Sequence, residues 1–259
     1  MINKQVALVL GASQGIGRAV ALELAQEGYS LIINARSEST LKELMNEIDD
    51  INLGNHMIFQ GDVTEKNVRD NLFLKIKEEY GRLDILINNI PGGVPDTFQN
   101  YDPNVTVNAF SKKAITYFDC MKNASSLMER NQYGRIINLV GNLWKEPAGN
   151  MFTNSLINAS IINASKNISR QLAEKKITVN CINPGFIKTD RYYKYIDNLI
   201  TNNGIIREEA EAAVAEDIPS KRVGDPQEVS SLIAYLCSEK AAYVTGQQIS
   251  VDGGTLKSL

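Results

Sequence analysis

A chain of 259 residues, 43% of them hydrophobic, is long enough to bury one sizeable core, and α/β domains of this length commonly stay undivided. A net charge of −3 with no dense Lys/Arg run leaves no footprint for nucleic acid, and the N-terminal apolar run Val6–Leu10 is too short for a signal peptide or a membrane span. Three scattered cysteines, Cys120, Cys181 and Cys237, form no Cys-x-x-Cys pair and predict a reduced, cytoplasmic protein.

Strand and helix patterns alternate throughout, which predicts a single-domain, Rossmann-type α/β fold: a doubly wound parallel sheet flanked by helices over 1–259. The first strand pattern, Val6–Leu10, runs into Gly11-Ala12-Ser13-Gln14-Gly15-Ile16-Gly17, and a helical pattern (Ala19, Val20, Leu22, Leu24) opens directly after it. Strand, glycine turn and helix N-terminus together make an anion site. The glycines let the backbone approach a pyrophosphate, while free N–H groups and the helix dipole favour its charge. A purely structural glycine turn is the alternative. The second strand pattern, 30–34, leads to Arg36, where an acidic residue would bond a ribose 2′-hydroxyl. An arginine there suits a 2′-phosphate, favouring NADPH with NADH possible, unless it is simply solvated in a polar turn.

A helix over 39–50 precedes a strand over 56–60 that starts at His56, the only histidine. One imidazole excludes a zinc site built from two or three, and this one reads as surface or structural. Asp62 and Val63 follow, and Asp62 is also a candidate helix N-cap. A helix over 65–80, a strand over 83–89, helices over 104–129 and 152–173 on either side of a strand over 133–141, and a strand over 177–185 complete the alternation. Residues 190–219 are an irregular insertion that begins Arg191-Tyr192-Tyr193-Lys194-Tyr195, a cluster suited to an aromatic-like carboxylate or to packing alone. A last helix (226–238) and strand (246–254) close the chain.

The spacing Gly11-x-x-x-Gly15-x-Gly17, the pair Asn88-Asn89 and the run Asn183-Pro184-Gly185 resemble the short-chain dehydrogenase/reductase family along the whole chain. The resemblance implies that Gly11, Ser13, Gln14, Gly15, Ile16 and Gly17 hold the pyrophosphate, Asp62 and Val63 the adenine, and Asn89 a ribose. It places Pro184, Gly185, Ile187 and Thr189 near nicotinamide and pyrophosphate, makes 190–219 a substrate lid, and implies a homodimer or homotetramer through the two long helices. At 90–91 Ile-Pro stands where the family has Ala-Gly.

The family's chemistry rests on Asn, Ser, Tyr and Lys, and here all four positions differ. The strand 134–141 puts Gly141 at the Ser position; counting back from Asn183 puts Asn154 at Tyr and Asn158 at Lys, and the two anchors agree. Gap-free counts from Asn88 and from Gly134 both put Lys113 at the Asn position, with Asn108 the competing choice and a solvated Lys112-Lys113 pair the bland one. Neither Asn154 nor Asn158 carries a titratable proton, so neither replaces the usual acid. Conjugate reduction asks for less: hydride adds to an alkene carbon, and amides or an ammonium stabilise the enolate. The strings Ile90-Pro91-Gly92-Gly93, Gly141-Asn142-Leu143-Trp144 and Asn150-Met151-Phe152-Thr153-Asn154-Ser155 resemble the branch of the family that forms tetrahydrotyrosine for bacilysin. That implies a small 2-oxo acid with a conjugated ring alkene as substrate, held by Lys113, Asn142, Trp144 and Tyr192. A catalytically inactive dinucleotide-binding protein, or a carbonyl reductase with a lid tyrosine as relocated acid, remain the alternatives.

Overall fold

The computed structural model describes residues 4–93 and 95–258. Its elements are β1 (Val6–Leu10), α1 (Gly15–Gln26), β2 (Ser30–Ala35), α2 (Glu38–Ile51), β3 (Met57–Gln60), α3 (Lys66–Glu79), β4 (Ile85–Asn88), α4 (Pro103–Phe110), α5 (Thr116–Asn131), β5 (Gly134–Leu139), α6 (Phe152–Leu172), β6 (Ile177–Pro184), α7 (Asp190–Asn203), α8 (Arg207–Glu216), α9 (Pro226–Cys237) and β7 (Gln248–Val251). The seven strands are parallel in the order β3-β2-β1-β4-β5-β6-β7. Chain order reverses between β1 and β4, so a crevice opens beyond their carboxyl ends, where such sheets bind ligands.

Both faces of the sheet are buried, which is why its strands read as unbroken apolar runs. Along β1, Ala7 and Val9 pack towards α1, α2 and α9, while Val6, Leu8 and Leu10 pack towards α3 and α5. A polar ladder crosses the centre of this interior: Asn88 Nδ2 donates to Asn138 Oδ1 (2.7 Å), and Asn138 Nδ2 donates to Ser165 Oγ (2.9 Å). It ties β4, β5 and α6 together directly below the carboxyl ends of the strands. His56 is a structural link ahead of β3: the Leu31 N–H donates to its Nδ1 (3.0 Å), and Nε2 lies 2.7 Å from the Asn52 carbonyl.

Two departures from the sequence reading matter for the site. The helix expected over 104–129 is α4 and α5 joined by a π-helical turn, Ser111–Ile115. The extra residue in that turn shifts the phase of everything after it. The segment 190–219, expected as a substrate lid, forms two helices, α7 and α8, that share a small core: Tyr192, Ile196, Ala210, Val214, Ile218 and Val223. Among the described residues no helix is long and apolar enough to cross a membrane.

Candidate active site

The glycine turn after β1 is set by close approaches. Gly11 has φ +64°, and a Cβ on it would stand 2.2 Å from the Asn89 carbonyl oxygen; one on Gly17 would stand 2.2 Å from the Gly11 carbonyl oxygen. Asn89 Nδ2 donates to that same Gly11 carbonyl (3.1 Å), joining the ends of β1 and β4. The first turn of α1 has no side-chain cap at Gln14 and no acidic residue, so its N–H groups remain available to an outside anion. Ser13 and Ile16 sit within this turn, and Thr189 closes it from the β6 side, its Cγ2 3.0 Å from where a Gly15 Cβ would lie. Space, dipole and donors fit a dinucleotide pyrophosphate.

The other ends of that groove are equally defined. Arg36 is exposed at the end of β2, with no carboxylate partner among the described residues. Asp62 accepts the Thr64 N–H at Oδ1 (3.0 Å) in a turn before α3, whose N-cap is Glu65. The helix-capping alternative for Asp62 is therefore corrected. Val63 is buried beside it, and its carbonyl accepts from Arg69 Nη1 (2.7 Å). Across the groove, the Gly185 N–H donates to the Val251 carbonyl (3.0 Å) after Pro184, and Ile187 is buried at the base of the lid.

A second cluster centres on Lys113. The π turn sends Lys112 into solvent and Lys113 into the protein, where it is only 6% exposed; Asn108, one turn earlier, is exposed. Lys113 Nζ donates to Asn158 Oδ1 (3.2 Å), lies 3.5 Å from the Val140 carbonyl oxygen, and sits 5.9 Å from the centre of the Tyr117 ring. Burial pushes its ammonium down to about 8, and the positive charge of Arg191 adds to the shift. Asn158 Nδ2 has no hydrogen-bond partner among the described residues and lies 3.7 Å from where a Cβ on Gly141 would be. Gly141 itself has φ +88° and offers no side chain.

Three candidate residues are engaged elsewhere in the structure, and a fourth, Trp144, lines a pocket of its own. Asn154 is no free donor: its Oδ1 accepts the Gly93 N–H (2.8 Å) and its Nδ2 donates to the Gly93 carbonyl (3.1 Å), clamping the loop after β4. Asn142 Nδ2 donates to Asp252 Oδ2 (2.9 Å), and its Oδ1 accepts from Ser250 Oγ (3.1 Å), so its amide is spent on the end of β7. Tyr192 faces the lid's own core, where burial raises its phenol pKa, and not the sheet. Trp144 lines an apolar pocket of about 440 Å³ with Phe98, Leu143, Phe152, Ser155 and Leu156. Neither Lys113 nor Asn158 lines that pocket.

Tyr117 is a member of the cluster that sequence reasoning missed. Its hydroxyl donates to the Leu139 carbonyl (3.0 Å) and accepts the Ile90 N–H (3.0 Å), and burial raises its pKa. The available signal was its place four residues after Lys113 on a helix.

Residues 11–255 match the family profile described as enoyl-(acyl carrier protein) reductase. The chain belongs to the short-chain dehydrogenase/reductase family. Within it, the chain is 51% identical over 263 aligned positions, covering all of both proteins, to "NADPH-dependent reductase BacG" of Bacillus subtilis (strain 168). It is 33% identical to 3-oxoacyl-[acyl-carrier-protein] reductase FabG of Staphylococcus epidermidis, over 98% of this chain and 99% of that one. Its fold superposes with a TM-score of 0.94 on YwfH, described as an NADPH-dependent reductase involved in bacilysin biosynthesis, at 50% identity over 99% of this chain and 100% of that one. The score is also 0.94, at 27% identity over 99% and 98% of the chains, for L-sorbose reductase of Gluconobacter frateurii complexed with NADPH and L-sorbose.

The glycine turn yields a direct test. Gly17→Ala sets a methyl against the Gly11 carbonyl and Asn89 Nδ2, both under 3 Å and one of them backbone. NADPH affinity, measured by fluorescence titration, should fall at least tenfold.

Proposed function

We propose that this protein is an NADPH-dependent reductase that adds hydride to the conjugated ring alkene of dihydro-4-hydroxyphenylpyruvate. The product is the tetrahydro 2-oxo acid of bacilysin-type antibiotic synthesis, made in the cytoplasm. The observation that carries this reading is the Lys113–Asn158 pair, a buried cation and an amide at the positions that the resemblance gives to the family's Asn and Lys. The similarity to BacG and YwfH over full length supports it.

The glycine turn and Arg36 would hold the pyrophosphate and 2′-phosphate, and Ile187 and Thr189 the nicotinamide end. NADPH held there would supply a hydride, two electrons with one hydrogen, and be oxidised to NADP⁺, and a proton from water would complete the reduction. As the alkene electrons move towards the 2-oxo group, Lys113 Nζ stabilises the negative charge growing on that oxygen, and Asn158 Nδ2 adds a hydrogen bond. A preorganised cation in a water-poor site acts most strongly on charge that develops during the reaction. Asn154 contributes by fixing the 91–93 loop, and Trp144 by lining the adjoining apolar pocket. Val105, Val107, Ile115 and Leu156 on α4, the π turn and α6 are large apolar side chains left exposed, which supports contact between copies of the chain through these helices, as dimer or tetramer.

Assay against the conjugated oxo acid and a simple ketone tests the central reading: the first should be reduced and the second left untouched. Turnover of neither, with NADPH still bound, would instead indicate a non-catalytic dinucleotide-binding protein. Lys113→Met should lower kcat on the order of a hundredfold. In the parent protein kcat should fall as pH rises through about 8, because Lys113 carries its charge below that value and loses it above.

Arg36→Ala should shrink the preference for NADPH over NADH by roughly ten- to a hundredfold, the weight of a charge-assisted contact of about 1.5–3 kcal/mol. Equal affinities in the parent would remove Arg36 from the phosphate. Sedimentation should give a species at least twice the 28.6 kDa of one chain; a monomer would overturn the packing role of the α4–α6 face.

A further inference from the structure

We propose that Tyr117 is a positioning residue for the reaction: its ring supplies part of the solvation that the Lys113 ammonium loses on burial, and its hydroxyl locks that ring in place. The proposal rests on the reductase reading above and adds the side chain that holds the cation at the cleft.

Lys113 and Tyr117 stand four residues apart across the junction of the π turn and α5, and both are buried, Tyr117 completely. Lys113 Nζ lies 5.9 Å from the centre of the Tyr117 ring, inside the reach of about 6 Å over which a ring face attracts a cation. An ammonium has three N–H donors. Among the described residues two acceptors face this one, Asn158 Oδ1 at 3.2 Å and the Val140 carbonyl at 3.5 Å. The negative face of the ring attracts the charge as a whole, so the third N–H stays available to a ligand.

The ring is pinned at its far end. Its hydroxyl donates to the Leu139 carbonyl (3.0 Å) at the end of β5 and accepts the Ile90 N–H (3.0 Å) just beyond β4. Val140, Ile157, Ile161 and Cys181 pack in the same cluster. Tyr117 thus joins the two central strand ends to the segment that carries Lys113. Leucine would fill the space without a negative face, and phenylalanine would keep the face but lose both backbone bonds.

Few charged or titratable groups surround the pair. Asn158 and Val140 bring no charge, and the positive charge of Arg191 on α7 acts against that of Lys113. Burial pushes the Tyr117 phenol up, the Cys181 thiol up to about 11 and the Cys120 thiol up to about 12. All three therefore stay neutral while Lys113 titrates.

The test places phenylalanine, leucine or pentafluorophenylalanine at 117 and follows Lys113 directly, by NMR of lysine labelled at its ε carbon. The signal is assigned by its loss in Lys113→Met. Pentafluorophenylalanine keeps the outline of phenylalanine but reverses the polarity of the ring face, so this pair separates attraction from packing. In Tyr117→Phe the Lys113 midpoint should stay close to that of the parent, while the melting temperature falls through the two lost backbone bonds. With pentafluorophenylalanine, and in Tyr117→Leu, the midpoint should drop by about one pH unit, because losing the ring's attraction disfavours the charged form. The alkaline fall in kcat should move down with it, while the NADPH dissociation constant stays as in the parent. Equal midpoints in the phenylalanine and pentafluorophenylalanine proteins overturn the proposal, even where Tyr117→Leu fails to fold. The titration needs no turnover, which keeps the two readings apart. A midpoint that moves as expected in a protein that reduces nothing defeats the reductase reading alone; normal reduction with an unmoved midpoint defeats the role of Tyr117.

Discussion

An ammonium buried without a carboxylate is the constraint on which this end of the cleft depends. Among the described residues, Lys113 Nζ is solvated only by the Asn158 amide oxygen, a backbone carbonyl and the face of Tyr117. Desolvation disfavours its charge, and the π turn that buries it also interrupts α-helical hydrogen bonding. The same constraint explains residue 158. A lysine there would set two ammonium groups within contact distance inside the protein. Asparagine offers an acceptor to Lys113 and keeps a donor for the cleft. The residues at 113 and 158 are thus matched to each other.

Asparagine amides hold much of the surrounding backbone. Asn89 bonds the glycine turn, Asn154 clamps Gly93 from both sides, and Asn88 and Asn138 link the two central strands. An amide presents a donor and an acceptor side by side, so one side chain can satisfy both the N–H and the C=O of a single residue. Asn154 does this for Gly93, and a Cβ on the preceding Gly92 would stand 2.3 Å from its Oδ1. These amides fix the shape of the cleft through the backbone they hold.

Most of the fold was legible because buried parallel strands leave continuous apolar runs and their loops carry Gly, Pro and Asn. The glycine turn also followed from local spacing, whereas Lys113 was singled out only by counting against the family pattern, and the fold supplies its burial. What stayed hidden depends on contacts far along the chain. Asn142 looked free until Asp252, 110 residues later, claimed it. The orientation of Tyr192 is decided by α8 packing against α7, which a ring-rich string cannot show. The π turn leaves no compositional mark, since one added residue per turn preserves the apolar pattern on either side.

Gly141 limits what its loop can carry. Its backbone lies at φ +88°, ψ 163°, a region populated essentially by glycine. A serine there would add a hydroxymethyl group to a backbone that L-residues resist, at a cost of order 1–3 kcal/mol. A hydroxyl at this position therefore asks the loop to rearrange as well, so two changes and not one separate this site from a version that carries a serine.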